Sequence, residues 1–425
     1  MNQLKETFFH IIEKDKDELF QILSDLIKIN SENFGTYGNE TECAEYIGKW
    51  LEKIGYEADI YSPLEIDGIE NHPDYLPGRN LENRKNCTVL IPGKNHEKTL
   101  MLAAHHDTVE IGNPDYWEFE PLCGEIKDGK IFGRGACDDK YGCAISMFLI
   151  KKMKESGIVL DYDLVFSAYC DEEHGGSNGA LATCLRYPCD DCLNIDGLEG
   201  ELWDTGCGGG GVLFEVSSKK SENDCTNILK GLNLVVSELE KFRKRRKEEL
   251  EANYRFNGTD VVKNATRIMT FSVGETSGID MDKGNLGITF YTDKEEDEIN
   301  TEFNAIRSAV ENEFEKIGLN PLVIQMKTRF FRYVKGEDKN YVVDKLCELG
   351  DELGMPMKRC GACLSDLPMF SLYGSPRSSM FGIGGAFDQK GGAHQRNESV
   401  DCDKLVKATK LVAGFMVQYQ HLKGE

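Results

Sequence analysis

The chain is predicted to be an α/β protein: a mixed-sheet domain flanked by helices, interrupted by an inserted ferredoxin-like (βαββαβ) domain. Three observations carry this. Over roughly the first half, short apolar runs bounded by turn residues alternate with helical periodicities, the pattern of a mixed or parallel sheet with helices on both faces. Beyond Gly206 the order changes to β-α-β-β-α-β, complete in itself. And 425 residues exceed what one ordinary core accommodates.

Up to about Leu51 the spacing predicts two helices, one carrying Leu19, Leu23, Leu26 and Ile27, the next Cys43, Tyr46, Ile47, Trp50 and Leu51. Strands are expected at Cys87–Ile91, Thr99–Ala104, Leu164–Tyr169 and Cys192–Ile195, with a helix at Tyr141–Ser156. The run Gly206–Gly211, broken only by Cys207, reads as a flexible or tight-turning crossing point. There follow a strand (Val212–Val216), a long charged helix (Cys225–Ala252), strands at Arg267–Val273 and Leu286–Tyr291, a helix (Ile299–Ile317) and a strand (Leu322–Arg329). The chain then returns with a helix (Tyr341–Leu353), the strand Ser379–Ile383 and a closing helix (Asp403–His421). The expected boundaries are therefore 1–206 and 331–425 for one domain and 207–330 for the insert.

Fifty basic against 73 acidic residues give a net charge of −23, which argues against nucleic acid and anionic membranes as partners. The one basic run, Lys241–Lys247, is followed at once by Glu248, Glu249 and Glu251 and reads as a solvated helix face. No stretch approaches the roughly 20 apolar residues that span a bilayer. The amphipathic, acidic start lacks the features of a secretory signal, so a cytoplasmic address is expected. Fifteen cysteines then read as reduced thiols. The pairs Cys189/Cys192 and Cys360/Cys363 have zinc-ligand spacing but no knuckle-like glycine turn, and incidental thiols are the better reading.

Chemistry concentrates in five strings: AAHHDTV, GRGACDDK, YCDEEHGG, LNIDGLEG and GGAHQRNE. They supply His105, Asp138, Glu173, Asp196 and His394 as potential metal ligands and Glu172 as a general base, most of them at predicted strand ends. A two-metal site holds its ions roughly 3.5–4 Å apart and needs a bridging carboxylate. Asp138, in a turn opening a helix, is a natural bridge, although helix N-caps favour Asp anyway. Asp107 stands two residues after His105, where a carboxylate can orient the imidazole. His106 competes with His105 for the metal, but adjacent strand residues face opposite sides and only one can serve. Paired like charges at Glu172 and Glu173 call for a cation. Histidine and carboxylate ligands suit zinc, and also cobalt or manganese.

These strings resemble the metallopeptidase family of aminoacylase, acetylornithine deacetylase, succinyl-diaminopimelate desuccinylase, glutamate carboxypeptidase and the bacterial tripeptidase. The resemblance implies two zinc ions, with His105 and Asp196 on one, Glu173 and His394 on the other, and Asp138 bridging. It also implies Glu172 as general base, Asp107 orienting His105, the insert as a lid domain, and homodimerisation through that lid. The chain departs from the family in two places. Family lids usually donate a histidine to the oxyanion, yet none occurs between His174 and His394, and the corresponding stretch reads EVSSKKSENDCTN. The usual lid arginine is missing from LGITFYTDKEED. Arg267, Arg329, Arg332 and Asn264 are the candidates to replace them.

The expected function is metal-dependent hydrolysis of an amide bond in a small peptide or N-acyl amino acid by a two-metal-activated water. Two alternatives stay open: an aminopeptidase on the same metal site, and a metal-binding, non-hydrolytic relative that binds its ligand through an atypical lid.

Overall fold

Helices α1 (Asn2–Lys14), α2 (Lys16–Ile27) and α3 (Thr41–Lys53) open the chain in the computed structural model, which describes residues 2–221, 225–274, 281–419 and 421. Two helices were expected here. The additional break falls at Asp15, whose backbone leaves the helical region, and α1 buries its own Phe8 and Ile12. Strands β1 (Asp59–Tyr61), β2 (Asn86–Ile91), β3 (Thr99–His105), β4 (Ile126–Lys127) and β5 (Lys130–Phe132) follow. Next come α4 (Lys140–Ser156), β6 (Asp163–Tyr169), α5 (Asn178–Arg186), β7 (Asp191–Asn194) and β8 (Glu201–Gly206). The middle of the chain forms β9 (Gly208–Ser217), α6 (Thr226–Ala252), α7 (Asp260–Lys263), β10 (Thr266–Val273), β11 (Lys283–Thr292), α8 (Glu296–Lys316) and β12 (Val323–Met326). It closes with α9 (Tyr341–Glu352), β13 (Lys358–Ala362), α10 (Leu367–Met369), β14 (Ser379–Phe381), β15 (Ser399–Asp401) and α11 (Cys402–Tyr419).

These elements form two compact units, Met1–Asp204 with Lys335–Cys360 and Ser365–Glu425, and Thr205–Val334 with Gly361–Leu364. The first is built on an eight-stranded mixed sheet of order β1-β2-β6-β3-β7-β14-β8-β13. Its centre is parallel: β3 pairs with β6 and β7, and β14 with β7, all in one direction. Such strands are buried on both faces, so TLMLAAH and DLVFSAY read as nearly continuous apolar runs. Strand alternation divides them between two cores. Leu100, Leu102 and Ala104 join Phe148 and Ile145 of α4, whereas Met101 and Ala103 join Ala180 and Leu181 of α5. Helix α4 is buried nearly all round, and its first turn presses on the sheet end. A Cβ on Gly142 would lie 2.3 Å from the Ile195 carbonyl oxygen, which only glycine avoids.

In the second unit the antiparallel sheet has the order β10-β11-β9-β12. Its apolar face (Val212, Phe214, Val216, Leu286, Ile288, Phe290) meets Ile228, Leu232, Val235, Leu239 and Phe242 of α6 and Phe303 and Ile306 of α8. The glycine run is a correction to the expected crossing point, because Gly208–Gly211 are paired strand residues opposite Thr289–Thr292. Glycine is needed there for close approach: at Gly209, φ is +124° and a Cβ would sit 2.1 Å from the Phe290 carbonyl oxygen. The strand expected at Leu322–Arg329 contracts to Val323–Met326, and that at Ser379–Ile383 to Ser379–Phe381. The basic run is not wholly solvated either. Arg246 continues the α6 apolar spacing 228-232-235-239-242 and is fully buried, donating to Thr292 Oγ1 at 2.8 Å and pairing with Glu302. Asn264 donates to the Asp260 carbonyl at 3.0 Å, and Arg267 is exposed on β10. Residues 222–224 of the EVSSKKSENDCTN stretch lie outside the described residues. Among the described residues no helix is long and apolar enough to cross a membrane.

Candidate metal centre

Parallel strands deliver the sequence-predicted residues to one edge of the sheet. His105 ends β3, opposite Tyr169, the last residue of β6, and Glu172 and Glu173 follow three and four residues later. Asp196 lies two residues beyond β7. Asp138 precedes α4, and its peptide bond to Asp139 is cis. His394 sits in the loop between β14 and β15 with a left-handed backbone (φ +60°). Sites form outside the carboxyl ends of strands in sheets of this kind.

Three sets of donor atoms each gather within 4.8 Å: His105, Asp138 and Asp196; His105, Glu172 and Glu173; Asp138, Glu173 and His394. Asp138 belongs to two of them and presents one oxygen to each histidine. Its Oδ1 is 3.1 Å from His105 Nε2, and its Oδ2 is 3.2 Å from His394 Nε2. His394 Nε2 is also 3.0 Å from Glu173 Oε2. Two imidazoles and several carboxylates are a donor set that fits zinc, cobalt or manganese. Burial, with Asp138 and Glu173 alongside, pushes the Asp196 carboxyl up to about 7, against His105. Burial opposes charge on His394 too, but Glu173 and Asp138 outweigh it and hold the imidazole well above its ordinary value. Asp138 is held low against burial by the two histidines.

His105 is fully buried with a defined orientation. Its Nδ1–H donates to the Asp107 carbonyl oxygen at 3.0 Å, which leaves Nε2 facing Asp138. The Asp107 carboxylate lies 3.5 Å from Nδ1. Its closer partners are the N–H groups of Glu172 and Glu173 and the Asn33 side chain, at 2.8 to 3.0 Å. One carboxylate thus touches both the imidazole and the turn bearing the paired glutamates. His106 points elsewhere, donating from Nε2 to the Lys85 carbonyl at 2.9 Å, and burial lowers it to about 4.

Behind the glutamates lies a buried charge network. Asp171 accepts from Arg79 Nε at 2.6 Å and pairs with Arg84, and its own N–H donates to Glu40 Oε2 at 2.8 Å. Arg79 Nη2 also reaches the Glu173 carbonyl at 3.0 Å. Removing one member strands a buried charge, so Arg84→Met is expected to destabilise the metal-free protein by about 3–5 kcal/mol in urea unfolding. A shift below about 1 kcal/mol, the scale of a surface pair, would contradict this account of the turn.

Residues 101–418 of the chain match the family described as Peptidase family M20/M25/M40. The chain belongs to that family. It resembles an uncharacterized metallohydrolase, MJ0457, of Methanocaldococcus jannaschii, at 35% identity over 167 residues, 38% of each protein. It is 26% identical over 216 residues to N-formyl-4-amino-5-aminomethyl-2-methylpyrimidine deformylase of Halalkalibacterium halodurans, covering 50% of this chain and 45% of the enzyme. The aligned stretch thus spans less than half the length of either relative. The fold is shared over the whole chain with the di-peptidase Dug1p of Saccharomyces cerevisiae, with a TM-score of 0.73, 17% identity and 100% of both chains covered.

Sequence reasoning passed over Asn33, Glu40, Arg79 and Arg84, which lie far from the five strings and have no motif of their own. It also passed over Arg134 and Glu398, which stand inside two of them.

Proposed function

We propose that this protein hydrolyses an amide bond in a small peptide or N-acyl amino acid at a centre of two divalent cations, zinc in the first instance. The observation that carries the reading is Asp138, whose two oxygens face two different histidines, each within reach of further carboxylates. On this reading His105 and Asp196 hold one ion, Glu173 and His394 the other, and Asp138 both. When bound, such a pair supplies a Lewis acid for the amide carbonyl and makes water acidic near neutral pH. Glu172 then takes a proton from the attacking water and returns it to the departing amine. Asp107 keeps Glu172 in place through its backbone N–H and steadies His105. The relatives' names, a di-peptidase and an N-formyl deformylase, describe amide chemistry and so support the reading.

The test is an assay of zinc- or cobalt-loaded protein against dipeptides, tripeptides and N-acyl amino acids. Turnover of at least one class is expected. Stoichiometric metal with no turnover of any class would favour the non-hydrolytic alternative instead.

Metal binding should also depend on pH in a defined direction. Asp196 at about 7 and a raised His394 hold protons in the metal-free chain at pH 7, and a cation must displace them. Affinity therefore rises with pH and falls as these groups protonate. Calorimetry in buffers of different ionisation enthalpy should register proton release at pH 7. A heat independent of the buffer would contradict the ligand set.

Two broader features complete the proposal. Fifteen thiols, none in a disulfide, fit a reducing cytoplasmic compartment. The edge strand β10 exposes Ile268, Met269 and Phe271, each more than half accessible, which supports edge-to-edge pairing of a homodimer through this unit. Sedimentation of Phe271→Lys as a monomer, beside a dimeric parent, is the expected result; a monomeric parent would remove the idea.

A further inference from the structure

Two charged residues inside the metal-binding strings are not donors themselves: Arg134, four residues before Asp138, and Glu398, four after His394. Both are buried, at 3% and 0% exposure, and Arg134 Nη1 lies 2.6 Å from Glu398 Oε2. A buried ion pair is weak evidence for stability, because desolvation offsets much of the attraction. Its remaining bonds are more telling.

Glu398 Oε1 accepts the N–H of Cys137, the residue before Asp138, at 2.8 Å. Arg134 Nη1 donates to the carbonyl of Gln395, the residue after His394, at 3.2 Å. Arg134 Nη2 donates to the Glu110 carbonyl, also at 3.2 Å, and the adjacent Val109 N–H donates to Glu173 Oε1 at 3.1 Å. The Trp117 ring covers the guanidinium at 5.1 Å. Strand pairing supports the same junction: β5 pairs with β15 (Phe132 opposite Ser399), and Gly133 N–H donates to the Glu398 carbonyl at 3.0 Å. The pair therefore grips backbone beside Asp138, His394 and the Glu173 contact, which are the members of one donor set. The set of His105, Asp138 and Asp196 shares only Asp138 with it.

We propose that the Arg134–Glu398 pair is a positioning device for one of the two cation places, the one formed by Asp138, Glu173 and His394. The fork of Arg134 and the two oxygens of Glu398 fix the spacing between the loop before α4 and the loop before β15, so both ligands meet the same ion. This inference rests on the two-cation reading above.

The test is titration of the full-length, metal-stripped protein with cobalt(II), followed by calorimetry and visible absorption. Wild type, Glu398→Gln and Arg134→Lys are compared, and the melting temperature of each metal-free protein is recorded. Glu398→Gln keeps an acceptor for Cys137 and loses the charge. Arg134→Lys keeps the charge, loses the fork, and serves if the first variant does not fold. The expected result is one binding step weakened about 10–100-fold, the other unchanged, and a cobalt spectrum altered only in the weakened step. Two unchanged steps would overturn the proposal. So would two steps weakened together with a lowered melting temperature, since that marks a merely structural pair. A wild type that binds fewer than two ions would remove the two-cation reading, and this inference with it; that failure is seen in the parent and not in the variants.

Discussion

Glu172→Gln should retain its metal and lose turnover, with kcat reduced about 10²–10⁴-fold, the usual contribution of a positioned general base. The substitution conserves shape and removes basicity. The backbone of residue 172 is held by Asp107 at 3.0 Å and its neighbour is tied by Arg79, so the turn has no reason to move. Burial raises the Glu172 carboxyl well above its ordinary value; His105 opposes this, and Asp366, Glu173 and Asp196 add to it. Cations at the adjoining carboxylates would relieve that repulsion and leave a base able to work near neutral pH. Metal content is measured beside kcat. Loss of activity with full metal supports the assignment, whereas wild-type kcat would refute it.

Asp138→Asn should have an effect as large, by a different route. One carboxylate serves two histidines through two oxygens. An amide offers a single oxygen and a nitrogen that cannot ligate, so only one ion keeps its full set. After exhaustive dialysis the variant is expected to hold at most one ion per chain, with activity lost in parallel. Retention of two ions would show that Asp138 does not bridge.

Much of this was legible in the sequence because the sheet centre follows simple rules. Leu100–Ala104 and Leu164–Phe166 are continuous apolar runs, and parallel pairing places whatever follows these strands at one edge, which is how His105 and Glu173 meet. Asp138 and His394 were legible from their glycine-flanked strings. What escaped has physical causes. Gly208–Gly211 obey turn statistics in isolation, but the approach of the Phe290 backbone makes glycine a requirement of the strand. Arg246 carries a charge that masks its place on the buried stripe of α6 until Glu302 and Thr292 are seen to receive it. Glu40, Arg79 and Arg84 reach Asp171 from loops and a helix entry some 90 to 130 residues away, a pairing that only the fold creates. The absence of a histidine between His174 and His394 was equally plain in the sequence.

On this reading Asp138 joins two cation sites. Anomalous diffraction from crystals of the zinc-loaded protein, recorded on both sides of the zinc absorption edge, addresses it directly. Two peaks are predicted, one touched by His105, Asp138 and Asp196, the other by Asp138, Glu173 and His394. A single peak, or zinc bound instead at the cysteine pairs, would contradict it.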